Sequence, residues 1–137
     1  MEEHTKALLE YLNEDYGSDE EISVQSEEGN FISLDDGTEF LVCDEHEKKT
    51  LLEEEMKETL TYFNPSFLSS ATGLPQEVFE GQEYSRDVME SIFEATNTDF
   101  EDFVRDAEMT DGAGHFLSTY DGIEIELENG FFAYRIN

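Results

Sequence analysis

Basic residues are the scarcest charged class in this chain. Seven Lys and Arg stand against 36 Asp and Glu in 137 residues, a formal charge of −29 at pH 7. With so few cations, direct binding of nucleic acid or anionic lipid is not expected. Cysteine is nearly missing too: Cys43 alone excludes an internal disulfide and any Cys-x-x-Cys redox or zinc pair. No apolar run approaches the roughly 18 residues that span a bilayer. The N-terminal residues Met1 to Lys6 lack the basic and apolar regions of a signal peptide. A cytoplasmic protein without membrane contact is the expectation.

Catalytic patterns are equally sparse. The histidines are His4, His46 and His115, and no His-Glu-x-x-His, Gly-x-Ser-x-Gly or P-loop pattern occurs. Cys43 and His46 have Cys-x-x-His spacing, but zinc needs further ligands of comparable quality. As nucleophile and base the same pair lacks an orienting partner. Asn97, Asp99, Glu101 and Asp102 resemble part of a calcium loop, yet no central Gly or correctly spaced Glu follows. Asp15, Gly17, Asp19 and Glu20 fail the same spacing test. The sequence therefore predicts no enzyme, no cofactor and no dedicated metal site.

What the chain does have is aromatic content. Eleven Phe and six Tyr separate it from a disordered acidic tail. The acid is dispersed over the chain, so the expectation for residues 1–137 is a single folded domain coated in carboxylate. Phe31, Phe40, Phe63, Phe93, Phe100, Phe103 and Phe116 fall on apolar faces and read as core. Phe131 and Phe132 straddle both faces of the last strand. One of them is left for exposure or for a contact between two copies, a homodimer.

Ala7, Leu8, Tyr11 and Leu12 have helical spacing and predict a helix over 4–13, ending before Tyr16-Gly17-Ser18. Strands follow near 21–26, 30–34 and 38–43, separated by Glu28-Gly29 and Asp36-Gly37 turns. Asp44 and Glu47 form a capping-box pair opening a long helix to Phe63, with Leu52, Met56 and Leu60 on its apolar stripe. Asn64-Pro65 starts a short helix that Gly73 ends, and Pro75 to Glu80 repeats the pattern. Further helices are expected over 85–95 and, behind a Thr98–Glu101 capping box, over 99–108. Strands return near 115–120, 123–127 and 131–136, with Asp121-Gly122 and Asn129-Gly130 turns. The fold class is α+β: antiparallel meanders at both ends of the chain around a central group of helices. Whether the meanders share a sheet is left open.

The charge itself points to function. A compact chain of this length is about 35–40 Å across. Duplex DNA of that length carries about 22 charges. This chain matches or exceeds that density, well beyond the magnitude of about 2–8 that keeps a small domain soluble. Glu124, Glu126 and Glu128 alternate with Ile123, Ile125 and Leu127, which predicts one acidic strand face. Glu54 with Glu58, and Asp87 with Glu90 and Glu94, repeat at i,i+3 or i,i+4 on two predicted helices, and Asp102 with Asp106 on a third.

The segment Gly114-His115-Phe116-Leu117-Ser118-Thr119-Tyr120-Asp121-Gly122-Ile123 resembles the C-terminal segment of antirestriction proteins of the ArdA type, which often carry Gly-x-Phe-Ile-x-Thr-x-x-Gly there. The chain also resembles small acidic proteins of phages and mobile elements of Gram-positive bacteria, through Phe63-Asn64-Pro65-Ser66-Phe67-Leu68 and Thr72-Gly73-Leu74-Pro75. The ArdA resemblance implies an acidic DNA mimic with a counter-defence role. Its expected partner is a basic DNA-binding protein such as a restriction or CRISPR nuclease. The expected contact residues are Glu124, Glu126 and Glu128, then Glu54, Glu58, Asp87, Glu90 and Glu94. The alternative is an interaction or assembly module of a phage or mobile element, whose acidity serves solubility alone.

Overall fold

A computed structural model describes residues 2–15, 22–81 and 83–137. The expected helix stop at Tyr16-Gly17-Ser18, the strand start at Glu21, and Gly17, Asp19 and Glu20 of the second calcium-type pattern lie outside them. The architecture is α+β, with strands from both ends of the chain and helices between. The chain divides into two compact units, Met1–Leu51 with Asp111–Asn137, and Leu52–Thr110.

The first unit carries the sheet. Its strands are β1 (Val24–Glu28), β2 (Phe31–Leu34), β3 (Glu39–Asp44), β4 (Ile125–Glu126) and β5 (Phe131–Arg135), in the order β1-β2-β3-β5-β4 with every neighbour antiparallel. The two ends of the chain thus share one sheet, joined where β3 pairs with β5. The Asp36-Gly37 turn forms as the sequence predicts: Gly37 takes φ 89, which L residues avoid, and its N–H donates to the Leu34 carbonyl. In the β3–β5 register, Val42 faces Ala133 and Asp44 faces Phe131, while Cys43 faces Phe132 and Leu41 faces Tyr134. Successive residues point to opposite faces. The Val42 and Ala133 face is covered by helix α1 (Glu2–Asp15), whose Ala7, Leu8 and Leu12 pack on Ile32, Leu34 and Phe40. Each Leu, Ile or Phe of this set, fully buried, stabilises by about 1.5–3 kcal/mol.

The C-terminal strands differ from expectation. Residues 115–120 are not a strand: Ala113–Leu117 form a short helix, α6, and a turn follows. Gly114 explains this. A Cβ there would stand 2.5 Å from the Gly122 carbonyl oxygen and 2.7 Å from Glu124 N, so α6 lies directly against the backbone of the turn. Ala113 and Leu117, four apart, are both buried. The expected strand 123–127 shrinks to Ile125–Glu126. The Asp121 carboxylate accepts from Ile123 N at 3.0 Å on one side. On the other, a 3-10 turn over Glu128–Gly130 begins, with Asn129 left-handed at φ 61. Phe31 also departs from the core reading: it is 42% exposed. Phe131 is buried, and Phe132 is covered by Lys48, whose Nζ lies 3.8 Å from the ring centroid.

Helix α2 (Glu45–Thr59) starts in the first unit and ends in the second. Its capping box is reciprocal: Glu47 N donates to Asp44 Oδ1 (2.8 Å) and Asp44 N to Glu47 Oε1 (3.0 Å). The helix stops four residues before the expected Phe63, giving way to a 3-10 turn over Leu60–Tyr62. The second unit then adds α3 (Pro65–Thr72), α4 (Arg86–Ala95) and most of α5 (Phe100–Asp111). Asn64 caps α3 through its side chain, Pro65 opens it, and Gly73 closes it at φ 78. The α5 cap is Asp99 rather than Thr98: Asp102 N donates to Asp99 Oδ1 at 3.2 Å. The Thr98 hydroxyl is engaged instead with Thr96, at 2.7 Å. Phe103, 2% exposed, is the hub of this unit. Its ring centroid lies 4.9 Å from Phe63, 5.3 Å from Phe67, 5.0 Å from Phe93 and 6.1 Å from Phe100.

Candidate functional site

The eight carboxylates singled out in the sequence fall into two groups. Glu124, Glu126 and Glu128 belong to the first unit; Glu54, Glu58, Asp87, Glu90 and Glu94 belong to the second.

The first group does not line a strand face. Only Glu126 lies in a strand, while Glu128 sits in the 3-10 turn. Glu124 is engaged within the unit: Tyr134 Oη donates to its Oε2 at 2.6 Å, and Lys48 Nζ stands 3.5 Å away. Lys48 is 6% exposed and also pairs with Glu45 at 3.6 Å. Removing one partner of a buried charge leaves the other uncompensated. Glu124 therefore helps hold the Lys48 ammonium over the Phe132 ring. Alternation in the sequence could not reveal this, because the strand is only two residues long.

The second group comes together. Glu54 and Glu58 are exposed and one turn apart on α2, a rise of about 6 Å. On α4, Ser85 caps the first turn by accepting from Val88 N, and Met89 and Phe93 turn inward. One flank of α4, about 110° from that inward direction, then carries Glu90, Glu94 and Asp87 within about 60° of the helix circumference. All three are exposed. Arg86 ties the two helices: its guanidinium reaches Glu58 Oε1 at 3.4 Å and Glu90 Oε1 at 3.4 Å. These are exposed pairs and add little to stability. Glu54, Asp87 and Glu94 make no ion pair among the described residues. The second unit holds fifteen Asp and Glu against Lys57, Arg86 and Arg105. The arrangement is a fixed anionic surface on two rigid helices, able to attract and orient a cationic one.

A polar network in the first unit went unread in the sequence apart from its capping box. His4 Nε2 lies 2.6 Å from Glu47 Oε1, and Asn30 Nδ2 donates to Glu47 Oε2 at 2.8 Å. His4 packs on Phe131 with centroids 4.6 Å apart. Burial raises the Glu47 carboxyl, but the hydrogen bonds from Asp44 N–H, His4 and Asn30 outweigh it and bring Glu47 down to about 2. Nothing in the sequence links residue 4 to residue 47; only the packing of α1 on the sheet does.

Cys43 is wholly buried, and burial pushes its thiol up to about 12, so it is no thiolate at neutral pH. His46, the other half of the Cys-x-x-His spacing, is exposed. Among the described residues no group of three or more His, Cys, Asp or Glu converges on a point where a metal could sit. No helix among them is long and apolar enough to cross a membrane.

The segment 114–123 is built for closure. Gly114 touches the backbone of Gly122 to Glu124. The Ser118 hydroxyl lies 2.8 Å from the Arg135 carbonyl oxygen and 2.9 Å from Asp121 Oδ1, and the Thr119 hydroxyl donates to the Ile136 carbonyl at 2.6 Å. No protein-family model, curated protein or solved structure matches the chain.

Proposed function

We propose that the chain is a non-enzymatic DNA mimic that occupies the DNA-binding channel of a basic host protein, such as a restriction or CRISPR nuclease. The observation that carries this reading is the two-helix anionic surface of Glu54, Glu58, Asp87, Glu90 and Glu94, bridged by Arg86. One turn of helix separates Glu54 from Glu58, and Glu90 from Glu94, by about 6 Å. A Lys and Arg array that binds phosphates would meet rows of fixed carboxylates instead. Counterions released from both surfaces contribute much of the affinity. The likeness of residues 114–123 to ArdA-type antirestriction proteins supports a counter-defence setting. In the first unit Glu126 and Glu128 are exposed and remain candidate contacts of their own, whereas Glu124 is engaged by its pairing with Lys48.

The test is charge reversal on the second unit. A variant with Glu54, Glu58, Asp87, Glu90 and Glu94 changed to Lys is compared with the wild type for inhibition of DNA binding by a captured nuclease. Inhibition is expected to fall at least about a hundredfold, two decades being about 2.7 kcal/mol. Wild-type affinity is expected to drop steeply between low and high salt. Unchanged inhibition with intact circular dichroism overturns the reading.

A further inference from the structure

We propose that the groove between α3 and α5 is a docking site for a basic amphipathic helix of a protein partner. The groove lies wholly within the second unit and has a volume of about 410 Å³. Phe67 and Phe103 form its aromatic floor, edge to face at 5.3 Å. Phe103 is buried and Phe67 half-buried, Ala71 is a small wall residue, and Met109 stands at the lip, 80% exposed. An exposed methionine beside aromatic rings is an adaptable apolar contact, since its unbranched chain reshapes around different anchors. The acid in the lining is Asp106, which makes no ion pair among the described residues.

Three features choose the occupant. The lining positions on α5 run from Phe103 to Thr110, about 10 Å of rise, or two helical turns. That length suits anchors at i, i+3 or i+4, and i+7 of a helix laid in the groove. The aromatic floor calls for aliphatic anchors. The fifteen acids of this unit, Asp106 within the lining, call for flanking cations. The inference goes beyond mimicry, which asks only for fixed anions; the groove asks for an apolar anchor between cations, and either can hold without the other.

The chain has no tryptophan, so a single Trp on a peptide reports alone. The probe is a helical peptide of Leu and Lys with one Trp among the Leu positions. Saturable binding with a blue-shifted Trp emission is expected. Ser70→Tyr, which fills the groove from an exposed position, and Met109→Ala are each expected to weaken it about tenfold or more. If Ser70→Tyr loses helical circular dichroism, Met109→Ala decides, because an 80% exposed side chain contributes little to folding. Equal binding of a peptide of the same charge with Gln for Leu overturns the groove. So does binding unchanged in both variants. Equal binding of a Leu and Glu peptide overturns the cationic occupant.

Discussion

At the scale of single residues, Glu47 is the clearest case of a carboxylate committed to structure. Its two oxygens accept from His4, Asn30 and the Asp44 N–H, and so join α1, the β1–β2 corner residue Asn30 and the start of α2. Its folded pKa of about 2 lies below the ordinary 4.5. A depressed carboxylate contributes stability that is fully present above the unfolded pKa and is lost as pH falls toward the folded one. At about 1.4 kcal/mol per unit, and discounted for a side chain 29% exposed, the contribution is about 2 kcal/mol. Protonation of the other acids relieves repulsion over the same range, so the useful measure is a difference. The urea midpoint of Glu47→Gln is expected to lie below wild type at pH 6 and to converge on it as pH falls from 4.5 to 2. A gap that persists at pH 2 rules this role out.

At the scale of elements, α4 sets stability against charge. Glu90 and Glu94 are a like-charge i,i+4 pair, and Glu94 lies in the last turn, where the helix dipole favours cations. A Glu94→Lys substitution places a cation four residues after Glu90, the better orientation for an ion pair, and at the favoured end. It is expected to stabilise the protein by about 0.5–1 kcal/mol, read as a higher urea midpoint, while weakening the partner complex. Lower stability would mean that Glu94 has a structural partner. Elements with local chemistry were legible in the sequence: the Asp44–Glu47 box, the Asn64-Pro65 start and Gly73 stop of α3, and the helix over 85–95 with Phe93 in the core. Two elements were not. The α6 turn depends on Gly114 meeting Gly122 and Glu124, a contact between backbones that leaves no apolar period to read. The two-residue β4 keeps the alternation of a longer strand although Asp121 and Asn129 bend the chain on either side. The candidate surface followed the same rule. Helical spacing located the five acids of α2 and α4, whereas the diversion of Glu124 to Lys48 and Tyr134 is a tertiary event.

At the scale of the whole chain, the −29 charge acts on stability as well as on partners. Both units are strongly acidic: fifteen acids against three bases in the second leave twenty-one against four in the first. Each unit therefore repels itself, and with seven bases against 36 acids ion pairs such as Arg86 with Glu58 and Glu90 can neutralise little of it. Unfolding spreads the charges apart and relieves that repulsion, which destabilises the compact state. Salt shortens the reach of the interaction, from a Debye length of about 30 Å at 0.01 M to about 3 Å at 1 M. Neighbouring carboxylates on α2 and α4, about 6 Å apart, fall inside the first distance and outside the second. The urea midpoint, measured with an uncharged denaturant, is accordingly expected to rise as NaCl is raised from 0.01 to 0.5 M, in the opposite direction to the affinity for a basic partner. A midpoint that holds constant over that range would mean that the carboxylates are already compensated within the fold, leaving no anionic surface for a DNA-binding channel to recognise.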